Sequence, residues 1–342
     1  MSYNVSVLDC QDFIPGWWIR GPHLQTAWAR IARSRRLVAF EREVLCTPDN
    51  DDLELDHDSV QPNAPRVLLL HGLEGSAYSL HTQGLADLIR RKAWNTTVLN
   101  FRSCARDPSQ IRRRFRNRRP RLYHSGETSD LDFVVRELVA REPRTPLYAI
   151  GFSLGGNVLL KWLGETGRSS PILAAVTLSV PYDLAAAARF LERPVGRLYC
   201  AHFMRRLKSK AMDLIARFPD ETARLDPARV LAARSFHEFD RCFTAPLHGF
   251  TSVEDYYSRS SAIEYLPRIE VPTLCISSND DPFFPREGVT RSRNVVSSSV
   301  TFVVTDRGGH TGFVSGRWPW RPKYWAEELC VDWLGNFQGG TR

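Results

Sequence analysis

Pro146-Leu147-Tyr148-Ala149-Ile150-Gly151-Phe152-Ser153-Leu154-Gly155-Gly156-Asn157-Val158-Leu159-Leu160-Lys161-Trp162-Leu163 decides how this chain is read. Residues 146–150 are a short apolar run suited to a buried strand, and residues 156–163 an amphipathic helix. Between them lies Ser153, with a glycine two residues to either side. In so tight a turn, side chains at those flanking positions would collide with neighbouring backbone, which glycine avoids. The serine hydroxyl then stands clear of the sheet, above a helix N-terminus whose free amides favour developing negative charge. The pattern points to acyl transfer. Alone it is weak, because Gly-x-Ser-x-Gly arises by chance about 0.1 times in a chain of this length.

Partners in the right order must carry the rest: nucleophile, then acid, then histidine. Val271-Pro272-Thr273-Leu274-Cys275-Ile276-Ser277 reads as a buried strand running into the polar turn Asn279-Asp280-Asp281-Pro282-Phe283. A further strand, Val300-Thr301-Phe302-Val303-Val304, leads into Arg307-Gly308-Gly309-His310-Thr311-Gly312-Phe313. Catalytic groups of open α/β sheets collect beyond the carboxyl ends of the strands, where Ser153, Asp281 and His310 all fall. Serine is a poor nucleophile until histidine removes its proton, and the histidine needs a carboxylate to fix its tautomer. Of the nine histidines, only His202, His237, His248 and His310 follow the serine, and only His310 sits in a glycine-flanked loop after a late strand. Asp280 and Asp281 are adjacent; Asp281 is favoured because it directly precedes the proline that turns the chain away. The apolar run Arg66-Val67-Leu68-Leu69-Leu70 before His71-Gly72-Leu73-Glu74-Gly75 marks an earlier strand-to-helix turn. The amides of Leu73 and Leu154 are therefore expected to form the oxyanion hole, with His71 orienting the loop.

The chain resembles the YheT-like branch of the alpha/beta-hydrolase superfamily. The likeness rests on Trp17-Trp18-Ile19-Arg20-Gly21-Pro22-His23-Leu24-Gln25-Thr26, His71-Gly72-Leu73-Glu74-Gly75-Ser76, Leu99-Asn100-Phe101-Arg102 and Tyr123-His124-Ser125-Gly126-Glu127-Thr128. It continues through Gly151 to Leu159, Ala245-Pro246-Leu247-His248-Gly249-Phe250, Asp280-Asp281-Pro282-Phe283 and Gly308 to Phe313. What the resemblance implies is an alpha/beta-hydrolase fold and a carboxylic-ester hydrolase using Ser153, Asp281 and His310. Short- to medium-chain acyl esters or lipid esters are the implied substrates, and alcohol acyl transfer or phospholipase activity on the same triad is the alternative. A non-catalytic ligand-binding protein is a third reading, against which the intact triad speaks. After Arg102 the family usually continues Gly-Cys-Ser-Gly; here Ser103-Cys104-Ala105-Arg106 opens a longer arginine-rich run, which changes one loop and leaves the triad in place.

Residues 102–121 hold nine arginines and one acid, Asp107, so this segment alone equals the net charge of +8 for the whole chain. The basic balance is thus local. It is read as a solvated loop, with contact to an anionic membrane as its functional alternative. No nucleic-acid motif accompanies it, and nucleic acid is not expected as a partner. Seven cysteines without Cys-x-x-Cys spacing suggest reduced thiols in a cytoplasmic protein. Neither a signal pattern nor an apolar run of spanning length is present, and no cofactor or metal is expected.

Alternating strand-like and helical stretches predict an α/β fold, a mostly parallel central sheet flanked by helices. Strands are expected at 37–46, 52–57, 66–71, 96–101 and 172–180, besides those already named. Helices are expected at 78–92 and 323–335, and after Ser125 with Thr128 as cap. Between 182 and 265 the alternation stops, which reads as a helical cap inserted after the strand that follows the nucleophile helix. The core is then 1–181 with 266–342. Phe203, Met204, Phe236, Phe239, Phe243, Phe250, Tyr256 and Tyr257 offer the cap an acyl pocket. Trp17, Trp18 and Trp28 are expected to pack over the core, with membrane docking as the alternative.

Overall fold

A computed structural model describes residues 13–33, 37–107 and 115–337. Eight of its ten described strands are β1 (Glu41–Cys46), β2 (Asp52–Asp58), β3 (Arg66–Leu70), β4 (Asn95–Leu99), β5 (Leu147–Phe152), β6 (Ala174–Leu178), β7 (Thr273–Ser278) and β8 (Val300–Thr305). They form one sheet in the order β1-β2-β4-β3-β5-β6-β7-β8. β1 and β2 run antiparallel to each other, as do β2 and β4, while β4 through β8 are parallel. The expected alpha/beta-hydrolase architecture is what the chain adopts.

β3 shows why the sheet sits at the centre. All five of its residues are buried; Leu68 and Leu70 enter the apolar cluster on one face, Val67 and Leu69 that on the other. A strand covered on both faces needs a continuous apolar run, not an alternating one. Helices α1 (Pro22–Ala32), α2 (Leu80–Arg91), α3 (Ser129–Arg141) and α4 (Leu154–Thr166) are joined after β6 by a helical stretch. That stretch holds α5 (Leu184–Phe190), α6 (Pro194–Arg217), α7 (Pro227–Ala232), α8 (Phe236–Phe239), α9 (Ala245–Leu247) and α10 (Val253–Ser260). Then β7 and β8, with α11 (Arg286–Arg293) between them, and α12 (Trp325–Gly335) close the fold. Among the described residues no helix is long and apolar enough to cross a membrane. The six described cysteines form no disulfide with one another, and Cys104, Cys200, Cys275 and Cys330 are buried.

Element edges shift by a few residues from expectation, and three differences have physical causes. Thr128 stands at the N-cap of α3 without capping it; its hydroxyl donates to Glu165 of α4 at 2.7 Å, while Glu127 accepts the Ser129 N–H at 2.9 Å. The tryptophans divide: Trp18 packs on Trp28 with ring centroids 4.7 Å apart, but Trp17 stays 63% exposed. The arginine run is not simply solvated. Arg102 is fully buried and binds Asp49, Asp51 and Asp130; Arg118 pairs with Asp52, Arg116 with Asp213, and Arg121 with Glu127 and Asp49. Arg112, Arg113 and Arg114 lie outside the described residues.

Candidate active site

The turn from β5 into α4 sets the geometry. Ser153 adopts φ 49° and ψ −116°, a backbone that L residues rarely take. Its strain is tolerated because neighbours fix both sides: the Ser153 N–H donates to Leu178 O at 2.9 Å, and Asn157 N–H to Ser153 O at 3.0 Å. A Cβ at Gly151 would lie 2.7 Å from Gly155 O, and one at Gly155 only 2.5 Å from Leu70 O. Both contacts are with backbone, so the glycines are obligatory here. Ser153 is left half-buried on the wall of a 580 Å³ cavity.

His310 comes to the same wall from the loop after β8, and its Nδ1 lies 2.9 Å from Asp281 Oδ2. Both side chains are nearly buried. The other Asp281 oxygen accepts the Phe283 N–H at 2.8 Å. Asp280 plays a different part: it accepts the Gly309 N–H at 2.8 Å, bracing the loop that holds the histidine, and burial raises its carboxyl above the ordinary range. The sequence favours Asp281 of the two aspartates, and it is Asp281 that lies against the His310 ring. Phe283 stacks on the His310 ring at 4.2 Å, and the His310 N–H donates to Thr26 of α1 at 2.9 Å.

Leu73 and Leu154 also line the cavity, and neither amide N–H donates to another group among the described residues. The turn that carries Leu73 is held from behind. His71 Nδ1 lies 2.8 Å from Gly72 O and its Nε2 accepts the Phe101 N–H at 3.1 Å. Burial pushes this imidazole down to about 4, so it is neutral and suits an orienting role, as expected. The next residue, Glu74, forms a buried ion pair with Lys210 of α6 at 2.6 Å and accepts from the Tyr123 hydroxyl at 3.0 Å.

Several residues here escaped sequence reading. Asn157 is fully buried: its Nδ2 donates to Ser125 O at 2.8 Å and Ser260 O at 2.7 Å, and its Oδ1 accepts the Ala262 N–H at 2.9 Å. It thereby ties α4 to the start of one loop and to the return from the helical stretch. His124 and His248 lie with rings 4.5 Å apart on the cavity wall, and burial lowers both, His124 to about 4. His81, on the same wall, is bound between Thr311 Oγ1 and Glu327 Oε1, each at 3.1 Å, and steadies the residue after His310. Of the apolar side chains expected to form an acyl pocket, Phe203, Phe236, Phe239, Phe243, Tyr256 and Tyr257 line the cavity; Met204 and Phe250 do not. Asp240 is half-buried among them, accepting from Thr244 at 2.6 Å and Tyr257 at 2.9 Å, and its partial removal from water raises its carboxyl to about 6.

The family model described as alpha/beta hydrolase fold matches residues 65–316. The candidate esterase YheT of Escherichia coli (strain K12) is 33% identical over 95% of this chain and 94% of its own. The chain belongs to the YheT-like branch of the alpha/beta-hydrolase superfamily. Phospholipase ABHD3 of Homo sapiens is 28% identical over 92% of this chain and 76% of its own. A monoacylglycerol lipase of Saccharomyces cerevisiae is 28% identical over 82% of this chain and 60% of its own. Among solved structures, an esterase of Pyrococcus furiosus superposes with a TM-score of 0.53 at 18% identity, covering 87% of this chain and 89% of its own. That last likeness speaks for the fold alone.

Proposed function

We propose that the chain is a serine-dependent carboxylic-ester hydrolase acting on short- to medium-chain acyl esters or lipid esters. The observation that carries the reading is the 2.9 Å contact between His310 and Asp281 on a cavity shared with the strained Ser153 turn. Ser153 Oγ attacks the ester carbonyl while His310 Nε2 takes its proton, and Asp281 holds the Nδ1 proton and stabilises the imidazolium. The Leu73 and Leu154 amides donate to the oxyanion as the carbon becomes tetrahedral. His310 returns the proton to the departing alcohol, leaving Ser153 acylated; it then deprotonates water, whose attack frees the acid. Residues 182–265 act as the cap over a core of 1–181 and 266–342, and their aromatics shape the acyl pocket. The esterase, phospholipase and lipase names of the relatives agree with ester hydrolysis.

Hydrolysis of p-nitrophenyl esters from acetate to palmitate, with Ser153→Ala as blank, tests this. Turnover that requires Ser153 and peaks at one chain length is expected. Turnover surviving in Ser153→Ala, or none at any length, overturns it. Added alcohol that diverts the acyl group from water would make transfer the native reaction.

A further inference from the structure

The loop between β9 (Val314–Ser315) and β10 (Lys323–Tyr324) reads Gly316-Arg317-Trp318-Pro319-Trp320-Arg321-Pro322. We propose that its tip, with Trp17 beside it, docks on an anionic lipid bilayer. Trp320 is 71% exposed, Trp318 40% and Trp17 63%. The two loop indoles stack at 5.2 Å with planes 8° apart, so each rigidifies the other in its exposed position. Trp17 joins them through its Nε1–H, which donates to Arg317 O at 3.0 Å. Single exposed apolar residues are ordinary, but a cluster of large ones marks an interaction surface.

Chemistry selects the occupant. Indole is amphipathic and settles at the water–lipid boundary, whereas a purely aliphatic patch would favour a protein core. Arg20, Arg317 and Arg321 are exposed on the segments that carry these residues, and no carboxylate among the described residues forms an ion pair with them, whereas Lys323 has Glu328 within electrostatic reach. In the arginine-rich segment, by contrast, Arg102, Arg116, Arg118 and Arg121 are already paired with acids. Unneutralised cations beside exposed indoles match an anionic headgroup layer, which attracts each of them within a Debye length of the surface. Placement adds a reason. Trp18, immediately behind the patch, donates to Gly316 O at 3.0 Å and packs on Trp28 of α1, whose Thr26, Ala29 and Arg30 line the Ser153 cavity. Docking would bring that wall to the bilayer, a consequence that rests on the lipid-ester reading; the docking itself does not.

The test is sedimentation of the full chain carrying Ser153→Ala with phosphatidylcholine vesicles, with and without phosphatidylglycerol, so that catalysis plays no part. Binding to the anionic vesicles, with a blue shift of tryptophan emission, is expected. Trp318→Ala/Trp320→Ala should weaken it about tenfold or more, and Arg317→Gln/Arg321→Gln should remove its salt dependence. In the Ser153 background, the tryptophan pair variant should leave turnover of a water-soluble ester unchanged. No vesicle binding by the parent protein overturns the proposal. So does binding that survives the tryptophan pair variant or is lost instead with Arg116→Gln/Arg118→Gln. A dimer that the tryptophan variant dissolves, without vesicle binding, would make a second copy the occupant and refute the bilayer.

Discussion

Replacing Asn157 with leucine, which keeps the branched four-atom outline but is bulkier because methyls replace O and NH2, tests whether one buried amide fastens the helical stretch to the sheet. The change deletes three hydrogen bonds of 2.7–2.9 Å and leaves Ser125 O, Ser260 O and the Ala262 N–H facing an apolar side chain at a site with no solvent access. Each buried group left unpaired costs about 1–3 kcal/mol; some relaxation toward neighbours gives a total of about 3–6 kcal/mol. For a chain of this size that is a fall in Tm of about 4–8 °C. Urea unfolding followed by tryptophan emission reads it directly. Asn157→Asp sharpens the test: it keeps the acceptor for Ala262 but turns a carboxyl toward two carbonyls, so it must hold its proton in the fold. An acid raised in the folded state contributes most below its unfolded pKa and loses that contribution as pH rises, so this variant should be least stable at neutral pH. A leucine variant within about 1 kcal/mol of the parent, at unchanged m-value, would refute the role given to Asn157.

The two neighbouring aspartates should part company in kinetics. Asp281→Asn is expected to lower kcat by about 10⁴ through loss of the His310 tautomer, whereas Asp280→Asn, which only loosens the Gly309 amide, should cost about tenfold; steady-state rates on one soluble ester decide. Two titratable groups lining the cavity should bend the pH–stability profile in opposite senses. His124 is pushed down to about 4 by burial, so its contribution is full above the ordinary 6.5 and is lost as pH falls through 4; His124→Phe should flatten the acid-side loss. Asp240 is raised to about 6 by burial, so its contribution is full below 3.8 and lost as pH rises through 6; Asp240→Asn should steepen the loss between pH 6.5 and 4. Equilibrium unfolding at several pH values checks both, and slopes of the same sign would contradict the assignment.

What the sequence disclosed was local or periodic. The run Leu147–Phe152, the serine turn and the loop of His310 declare themselves within a dozen residues, because a doubly covered strand must be apolar throughout and its turn must spare side chains. The missing parts depend on distant partners. Thr128 looked like a cap, yet Glu165, 37 residues away, takes its hydroxyl. Counting charge within 102–121 could not show that Asp49, Asp51 and Asp52, two strands earlier, neutralise much of it. α11 was passed over because Arg286–Arg293 carries no wide apolar stripe, only Val289 and small residues turned inward. Lys210 and Asn157 gave no signal at all, since a buried polar residue is recognisable only by what it meets.

Covalent labelling tests the central claim most directly. The parent chain, treated with an alkyl fluorophosphonate, should gain one adduct, located by peptide mass on Ser153. Ser153→Ala should gain none, and His310→Ala should react far more slowly, since the serine then lacks its base. Failure of the parent to react, or an adduct on any other residue, would contradict the assignment of Ser153 as nucleophile.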